Sequence, residues 1–463
     1  MSSVETERAG SPAGSPPADG PTDGPAAAHP QAAGPSDGQG QASAGHVQTA
    51  AQVKRTGARL MWLDALRGFA ALCVVFDHTG YHVLVDQRNF VYQWFDPGQY
   101  GVFVFFLVSG YIIPASLERK GSMRGFWVSR LFRLYPLYLV AIVLSVVGAE
   151  HGVGSLGGAQ HHPLTSIASW AVMIPDILLE NNNIPNVVWT LSFEMVFYLL
   201  VACLYSWKKH KASGTYALGL GIGAVALGGI VPMEALYNLA SEHGQMGLRV
   251  LCIGADVLIV GGIILSAVYS RKGGVVLPLG KIGATVAAAT ALILLFFNES
   301  YPFPFSGFVI LALMFTGTLI YRMEQGEAPK VRSWAIVAAV FVLTMAAGLW
   351  HGDSYGTSFL WQWGTCLVAT AITFGVGMAC RNLQLPAWLP WLGVVSFSVY
   401  LLHPLVINVY EYYARTVDAG TGVQGLIFIG FIAVVLAVSA CGYYWVEKPM
   451  VSLGRKFSRR VGG

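Results

Sequence analysis

Arg67 and His78 stand eleven residues apart in the segment Trp62-Leu-Asp-Ala-Leu-Arg-Gly-Phe-Ala-Ala-Leu-Cys-Val-Val-Phe-Asp-His78. At about 3.6 residues per turn this is close to three whole turns, so on a helix the two side chains share a face, roughly 16 Å apart along the axis. A guanidinium and a titratable base on one face of an apolar helix are unfavourable in lipid and mark a functional site. The plainer alternative is that Arg67 snorkels to the headgroups while His78 bonds a neighbouring helix. As chemistry, an imidazole near its free pKa suits a general base at neutral pH, or a nucleophile that carries a group transiently.

Further candidates follow along the chain. Ser109 lies in Phe105-Phe-Leu-Val-Ser-Gly-Tyr111. Arg130 and Arg133 are three apart, so on a helix they form a fork of two guanidinium groups, suited to a phosphate-bearing ligand or to lipid headgroups. Glu194, in Trp189-Thr-Leu-Ser192-Phe-Glu194, sits inside an apolar run, where a carboxylate protonates or needs a partner. Ser398, Tyr400 and His403 place a hydroxyl, a phenol and a second imidazole along one later segment, and Glu447-Lys-Pro449 closes the last apolar run. Asp64, Asp77 and Asp256 are additional carboxylates, Asp77 pointing about 100° away from His78 on a helix.

The elements that must hold these groups are set by composition. The chain has 463 residues, 54% hydrophobic and 11% charged, and its mean hydropathy is +0.56. That profile is a multi-pass membrane protein, all-α, built as a polytopic helical bundle of about ten to twelve transmembrane helices. Apolar runs occur at 62–82, 100–117, 134–149, 187–206, 214–231, 249–269, 282–298, 304–321, 334–350, 362–380, 391–411 and 424–446. The stretch Ser166–Leu179 is too short to cross and contains Pro175, so it reads as re-entrant or interfacial. Pro136 is placed near the start of the third run, where its missing N–H matters least.

With a cytoplasmic N-terminus and twelve crossings, all of the 28 Lys and Arg residues except Arg88, Arg249 and Arg415 fall on the inner side. Both termini are therefore expected in the cytoplasm. The net charge of +4 reflects this topology and calls for no nucleic-acid partner. Residues 1–58, rich in Ala, Gly, Pro, Ser and Gln, read as a disordered cytoplasmic tail and not as a signal peptide. The membrane domain is expected over 59–450 and a short basic tail over 451–463. Cys73, Cys203, Cys252, Cys366, Cys380 and Cys441 all lie in apolar runs without a CxxC pair, so neither disulfides nor a metal site is expected.

These motifs resemble the acyltransferase 3 family of membrane proteins, which transfer acyl groups to carbohydrates and other hydroxylated acceptors. The resemblance rests on Leu63-Asp64-Ala-Leu-Arg67-Gly68 leading to His78, Phe106-Leu-Val-Ser109-Gly110-Tyr111, and Arg130-x-x-Arg133 before Tyr135-Pro136. It continues through Trp189-Thr-Leu-Ser-Phe-Glu194, Ser398-Val-Tyr400-Leu-Leu-His403 and Glu447-Lys-Pro449. It implies essential roles for Arg67, His78, Arg130, Arg133 and Glu194. Family members often carry an additional extracytoplasmic hydrolase-like domain, for which no sequence is seen here, so the bundle itself is expected to perform the chemistry. The family core is described with ten helices, against the twelve runs counted above.

The expected reaction takes an acyl group, acetyl by preference, from cytoplasmic acyl-CoA docked near Arg130 and Arg133, its arm passing Arg67 toward His78. His78 acts as general base on the acceptor hydroxyl or is itself acylated. Glu194 could hold the imidazole tautomer, while Ser398, Tyr400 or a backbone N–H could stabilise the oxyanion. Asp64, Ser109, Trp189, Ser192 and His403 are supporting residues. The acceptor is a cell-surface carbohydrate or glycoconjugate, with a hydroxylated lipid or a secreted metabolite such as a macrolide as runner-up, in a bacterial plasma membrane. A secondary transporter is the competing class, but repeated halves with interrupted helices are not visible.

Overall fold

The computed structural model describes residues 38–156, 163–174, 178, 184–271, 274–298, 303–414 and 421–462. The chain divides into the units Met1–Lys54 and Arg55–Gly463, and the candidate site lies in the second. Of the expected tail, residues 1–37 lie outside the described residues, and from Gly38 onward the backbone is helical.

The helices in chain order are α1 (Gly38–Val83), α2 (Val85–Tyr92), α3 (Pro97–Lys120), α4 (Met123–Glu150), α5 (Pro163–Ala171) and α6 (Trp189–Ser206). There follow α7 (Ser213–Leu227), α8 (Ala235–Ser241), α9 (Gly244–Val268), α10 (Pro278–Asn298), α11 (Ser306–Glu324) and α12 (Lys330–His351). The last are α13 (Thr357–Ala379), α14 (Trp388–Ala414), α15 (Thr421–Gly442) and α16 (Lys448–Gly462), with a π-helical segment, Tyr443–Glu447, joining α15 to α16. All twelve apolar runs fall on helices. Among the described residues ten helices, α3, α4, α6 and α9 to α15, are long and apolar enough to cross a membrane. The run 62–82 is the second half of α1, and α7, with 15 residues, is shorter.

Local chemistry fixes the ends that matter for the site. Asp96 caps α3, its Oδ1 accepting from the Gln99 N–H at 2.8 Å, and Pro97 occupies the first helical position. Gly121, at φ +58°, ends α3, and Ser122 caps α4 by accepting from the Gly125 N–H at 3.2 Å. The third run is thus only the second half of a 28-residue helix that starts at Met123. Pro136 lies inside that helix rather than near its start, a position membrane helices tolerate when neighbouring helices satisfy the freed carbonyl. The expected re-entrant stretch begins within α5, after which Val172, Met173 and Ile174 are buried; residues 175–177 and 179 lie outside the described residues.

α11 is the centre of the bundle, buried almost without interruption from Ser306 to Met323, as an all-round apolar helix must be. It meets α3 at glycine contacts. A Cβ on Gly110 would stand 1.9 Å from the Met314 carbonyl oxygen, and one on Gly317 would stand 2.1 Å from that of Leu107. The Ser109-Gly110 motif is therefore a backbone-to-backbone helix contact, reinforced by Thr318 Oγ1 donating to the Gly110 carbonyl at 2.8 Å.

A second glycine contact joins α1 to α14. A Cβ on Gly393 would lie 1.8 Å from the Asp64 carbonyl oxygen, and one on Gly68 would lie 2.7 Å from the Gly393 nitrogen. His78 stands ten residues beyond Gly68, and His403 ten residues beyond Gly393. The two helices run side by side in the same direction, and Ala71, Val75, Val395 and Val399 fill the space between the glycines and the histidines.

Candidate active site

The last turns of α1 face a cavity of about 440 Å³ at one end of the bundle. α2 folds back across it. The Arg88 Nε donates to Asp77 Oδ1 at 3.1 Å, and the guanidinium lies over the rings of Tyr92 (4.1 Å) and Tyr81 (5.3 Å). Tyr92 in turn donates to Asp96 Oδ2 at 3.0 Å. At the mouth His82 Nδ1 and Glu411 Oε1 are 3.0 Å apart. Trp189, Phe303, Trp363 and Tyr400 add aromatic surface, so the cavity combines ring faces with carboxylate and amide groups.

His78 opens into this cavity, and its other side meets His403 of α14. The rings stack with centroids 5.1 Å apart, and His78 Nδ1 lies 2.8 Å from His403 Nε2. His403 is fully buried, and its Nδ1 lies 3.1 Å from the Val399 carbonyl oxygen. A carbonyl only accepts, so that Nδ1 carries the hydrogen, and in a neutral ring Nε2 is then an acceptor. The hydrogen between the two rings must come from His78 Nδ1. This leaves the lone pair of a neutral His78 on Nε2. The tautomer is assigned by this chain of donors and acceptors.

Arg67 lies three turns away on the same face of α1, half-buried, its guanidinium carbon 5.4 Å from the Phe105 ring centroid. It is within electrostatic reach of Arg133, Asp64, Glu194 and Glu447. Arg133 faces the same three carboxyl groups. Glu194, on α6, accepts from the Tyr198 hydroxyl one turn later. Glu447, 2% exposed at the end of the π-helical segment, accepts from Ser398 Oγ at 3.0 Å. Two guanidinium groups and three carboxyl groups thus share one interior space, which is how such charges are kept inside a bundle.

Between Arg67 and the His78 cavity stand the rings of Phe105 and Tyr400. Phe105 stacks on Tyr400 at 6.2 Å and 17°, and these rings with Ala70, Val74 and Thr190 line a void of only about 10 Å³, room for about one water. The Tyr400 hydroxyl donates to the Val187 carbonyl at 3.0 Å and accepts from Thr190 Oγ1 at 2.9 Å, fixing the ring in place. A continuous contact chain therefore runs Arg67, Phe105, Tyr400, His403, His78.

Several assignments read from the sequence change. The partner of the His78 imidazole is His403; Glu194 belongs to the arginine cluster. Ser398 and Tyr400 are not free to meet an oxyanion, because their hydroxyl hydrogens go to Glu447 and to the Val187 carbonyl. Arg130 and Arg133 both come within electrostatic reach of Tyr198, and Arg133 also of the interior carboxyl groups. Buried Arg130 lies against Phe126 (5.3 Å) and Tyr198 (5.0 Å), with its Nε lacking a partner among the described residues. Ser192 is fully buried and its hydroxyl also lacks a partner there, and Asp64 sits at the α1–α14 contact beside Arg67. Asp77, expected to point about 100° away from His78, lines the cavity with it, since a side chain so placed still reaches a cavity that wraps the helix end. Arg88 and Glu447 also belong to the site: Arg88 is one of the three basic residues that fall on the outer side in the sequence, and Glu447 opens the closing Glu-Lys-Pro motif.

The arrangement is a helical membrane bundle with a histidine pair at an open cavity and a buried arginine–carboxylate cluster behind it, and the class it belongs to is that of the membrane acyltransferases. Residues 60–445 match the acyltransferase 3 family, described as an acyltransferase domain, and the chain belongs to that family. It is 24% identical over 420 residues to “Putative peptidoglycan O-acetyltransferase YrhL” of Bacillus subtilis (strain 168), covering 86% of this chain and 56% of the relative. It is 30% identical to Nodulation protein 10 of Rhizobium leguminosarum bv. viciae, over 39% of this chain and 52% of that one. It is also 30% identical to Acyltransferase MdmB of Streptomyces mycarofaciens, over 41% and 50%. The chain spans about half the length of these curated relatives. No solved structure matches it.

Proposed function

We propose that the protein is an O-acyltransferase of the bacterial plasma membrane that moves an acyl group, acetyl by preference, from cytoplasmic acyl-CoA to a hydroxyl of a cell-surface carbohydrate or glycoconjugate. The observation that carries the reading is the His403–His78 pair, which leaves a lone pair on His78 Nε2 at the wall of a cavity of ordinary ligand-site size. The names of the acyltransferase relatives support the reaction class. The ring faces of Trp189 and Tyr81, beside Asp77, Asn408 and Glu411, suit a sugar, whose apolar faces stack on aromatics and whose hydroxyls need acceptors.

In this reading the acceptor oxygen attacks the thioester carbonyl while Nε2 takes its proton, and the proton then passes to the departing thiolate, giving an ester and free CoA. If Nε2 attacks first, the C–S bond breaks and the CoA thiolate leaves with the proton of the acylated ring; the acceptor oxygen then takes the acyl group and its proton restores the neutral imidazole. Donor consumption in a single turnover without acceptor separates the two orders. The thioester arm must cross the Phe105–Tyr400 constriction, so the pair parts during the cycle. The arginine cluster behind it steers the anionic donor, and Asp64, Glu194 and Glu447 keep Arg67 and Arg133 charged and aimed.

The test uses sealed vesicles of known orientation with labelled acetyl-CoA. Transfer is expected from the N-terminal side only, and His78→Ala is expected to abolish it at unchanged membrane levels. Full transfer by His78→Ala removes the assignment. Equal donor use from both sides removes the transmembrane route.

A further inference from the structure

The end of the bundle where α3 meets α4 carries a cluster of cations with no carboxylate partner among the described residues. α3 finishes in Arg119 and Lys120, both exposed, and α4 supplies Arg130. Lys120 is within electrostatic reach of Arg119, Arg130 and Arg455. Arg455 arrives from the far end of the chain on α16, which is anchored to α4. The Phe457 ring stacks on Phe132 at 5.7 Å and 17°, and a Cβ on Gly454 would stand 2.5 Å from that of Phe132. Ser458 Oγ donates to the Gly125 carbonyl at 3.1 Å, and Lys120 Nζ approaches the same oxygen at 3.3 Å. Three separate elements therefore converge on Gly125.

The nearby carboxylates are engaged elsewhere. Glu118, next to Arg119, is held by Arg322 at 2.5 Å, and Glu327 by the same guanidinium at 2.8 Å. Among the described residues none of the four cations has a carboxylate within ion-pair distance. Arg130 is 9% exposed, and its Nε has no acceptor among the described residues. Like charges gathered without an anion, one of them a buried donor lacking an acceptor, describe a site that an anion completes.

We propose that Arg119, Lys120, Arg130 and Arg455 bind phosphate groups, specifically those at the nucleotide end of the acyl-CoA donor. This inference rests on the acyl-CoA reading above. Arg130 is one turn from Arg133, which faces the interior near Arg67, so a donor anchored by its phosphates directs its arm into the bundle. Arg455 lies beyond residue 445, where the family match ends. This arm of the site is therefore a feature outside the shared domain.

A phospholipid headgroup offers the same chemistry, and the experiment separates the two sources. The full chain is placed in nanodiscs of phosphatidylcholine alone and of phosphatidylcholine with phosphatidylglycerol. Acetyl-CoA and 3′-dephospho-acetyl-CoA are titrated for the wild type, Lys120→Gln, Arg455→Gln and the distant exposed control Arg332→Gln. Apparent KM for acetyl-CoA is expected to rise about fivefold in the Lys120 and Arg455 variants in both discs, at unchanged kcat, and less with the dephosphorylated donor. Unchanged KM in phosphatidylcholine overturns the proposal. A change confined to phosphatidylglycerol discs also overturns it and assigns the cluster to lipid. A wild type that consumes no acetyl-CoA in either disc instead removes the acyl-CoA reading itself.

Discussion

His403 Nε2 accepts from His78 Nδ1 across 2.8 Å, and each ring stands ten residues beyond the glycine at which its helix touches the other. The geometry makes His403 a positioning residue: it fixes which nitrogen of His78 faces the cavity. His403→Leu removes the acceptor and lets His78 take either tautomer, so kcat is expected to fall by about 10²-fold while donor KM stays within about twofold. His403→Gln, whose Oε1 can accept in place of Nε2, is expected to recover part of the loss. Equal loss in both variants, or a loss carried by KM, would reassign His403 to packing.

The Phe105–Tyr400 stack stands between Arg67 and the cavity, across the proposed route of the donor arm. Phe105→Ala widens it and is expected to raise acetyl-CoA hydrolysis without acceptor several-fold, because water gains the same access as the arm. Phe105→Trp is expected to slow transfer. Thiol release followed with and without acceptor measures both, and identical hydrolysis in all three proteins would place the donor route elsewhere.

Arg133 is within electrostatic reach of three interior carboxyl groups, whereas Arg130 lies against aromatic rings, so substitutions at the two should differ in which kinetic constant they move. Arg133→Lys keeps the charge but not the planar fork and is expected to cut kcat/KM by about tenfold. Arg130→Ala should instead raise donor KM by about tenfold or more. Donor titrations at fixed acceptor separate these, and matching profiles for the two positions would argue for one shared fork after all.

His210 lies between α6 and α7, outside the membrane-spanning segments. Burial lowers its pKa below the free value of about 6.5, against the pull of Glu118. The folded state therefore prefers neutral His210. Its stability contribution is present above about pH 6.5 and is lost as pH falls toward the lowered folded value. Thermal melts of detergent-solubilised protein from pH 7.5 to 5 should show a decline that His210→Gln makes shallower. Parallel curves for wild type and variant would exclude this residue as the source.

The helices were legible in the sequence because lipid demands long apolar runs, and each of the twelve runs lies on a helix. The start of α4 was not, since Arg130 and Arg133 break the hydropathy although the backbone continues through them. Arg67 and His78 were placed by periodicity along one helix, which sequence resolves well. The His403 contact crosses 325 residues of chain and depends on the Gly68–Gly393 register, which no local spacing encodes. The commitment of Ser398 to Glu447 and of Tyr400 to Val187 was equally hidden, because hydroxyl hydrogens choose their acceptors only after packing.

The π-helical segment Tyr443–Glu447 has a consequence for how this chain can change. A π turn holds one residue more than an α turn, so removing any one of Tyr443 to Val446 would let the helix relax to ordinary α geometry at little local penalty. The extra residue is absorbed within the π turn, so after such a deletion Glu447 and α16 keep their phase relative to α15, and with it the Ser398 contact and the seat on Phe132. A one-residue deletion elsewhere in α15 has no such turn to absorb it and would rotate both by about 100°. The interior charges are therefore tolerant of a lost residue in this one segment and sensitive to it along the rest of the span.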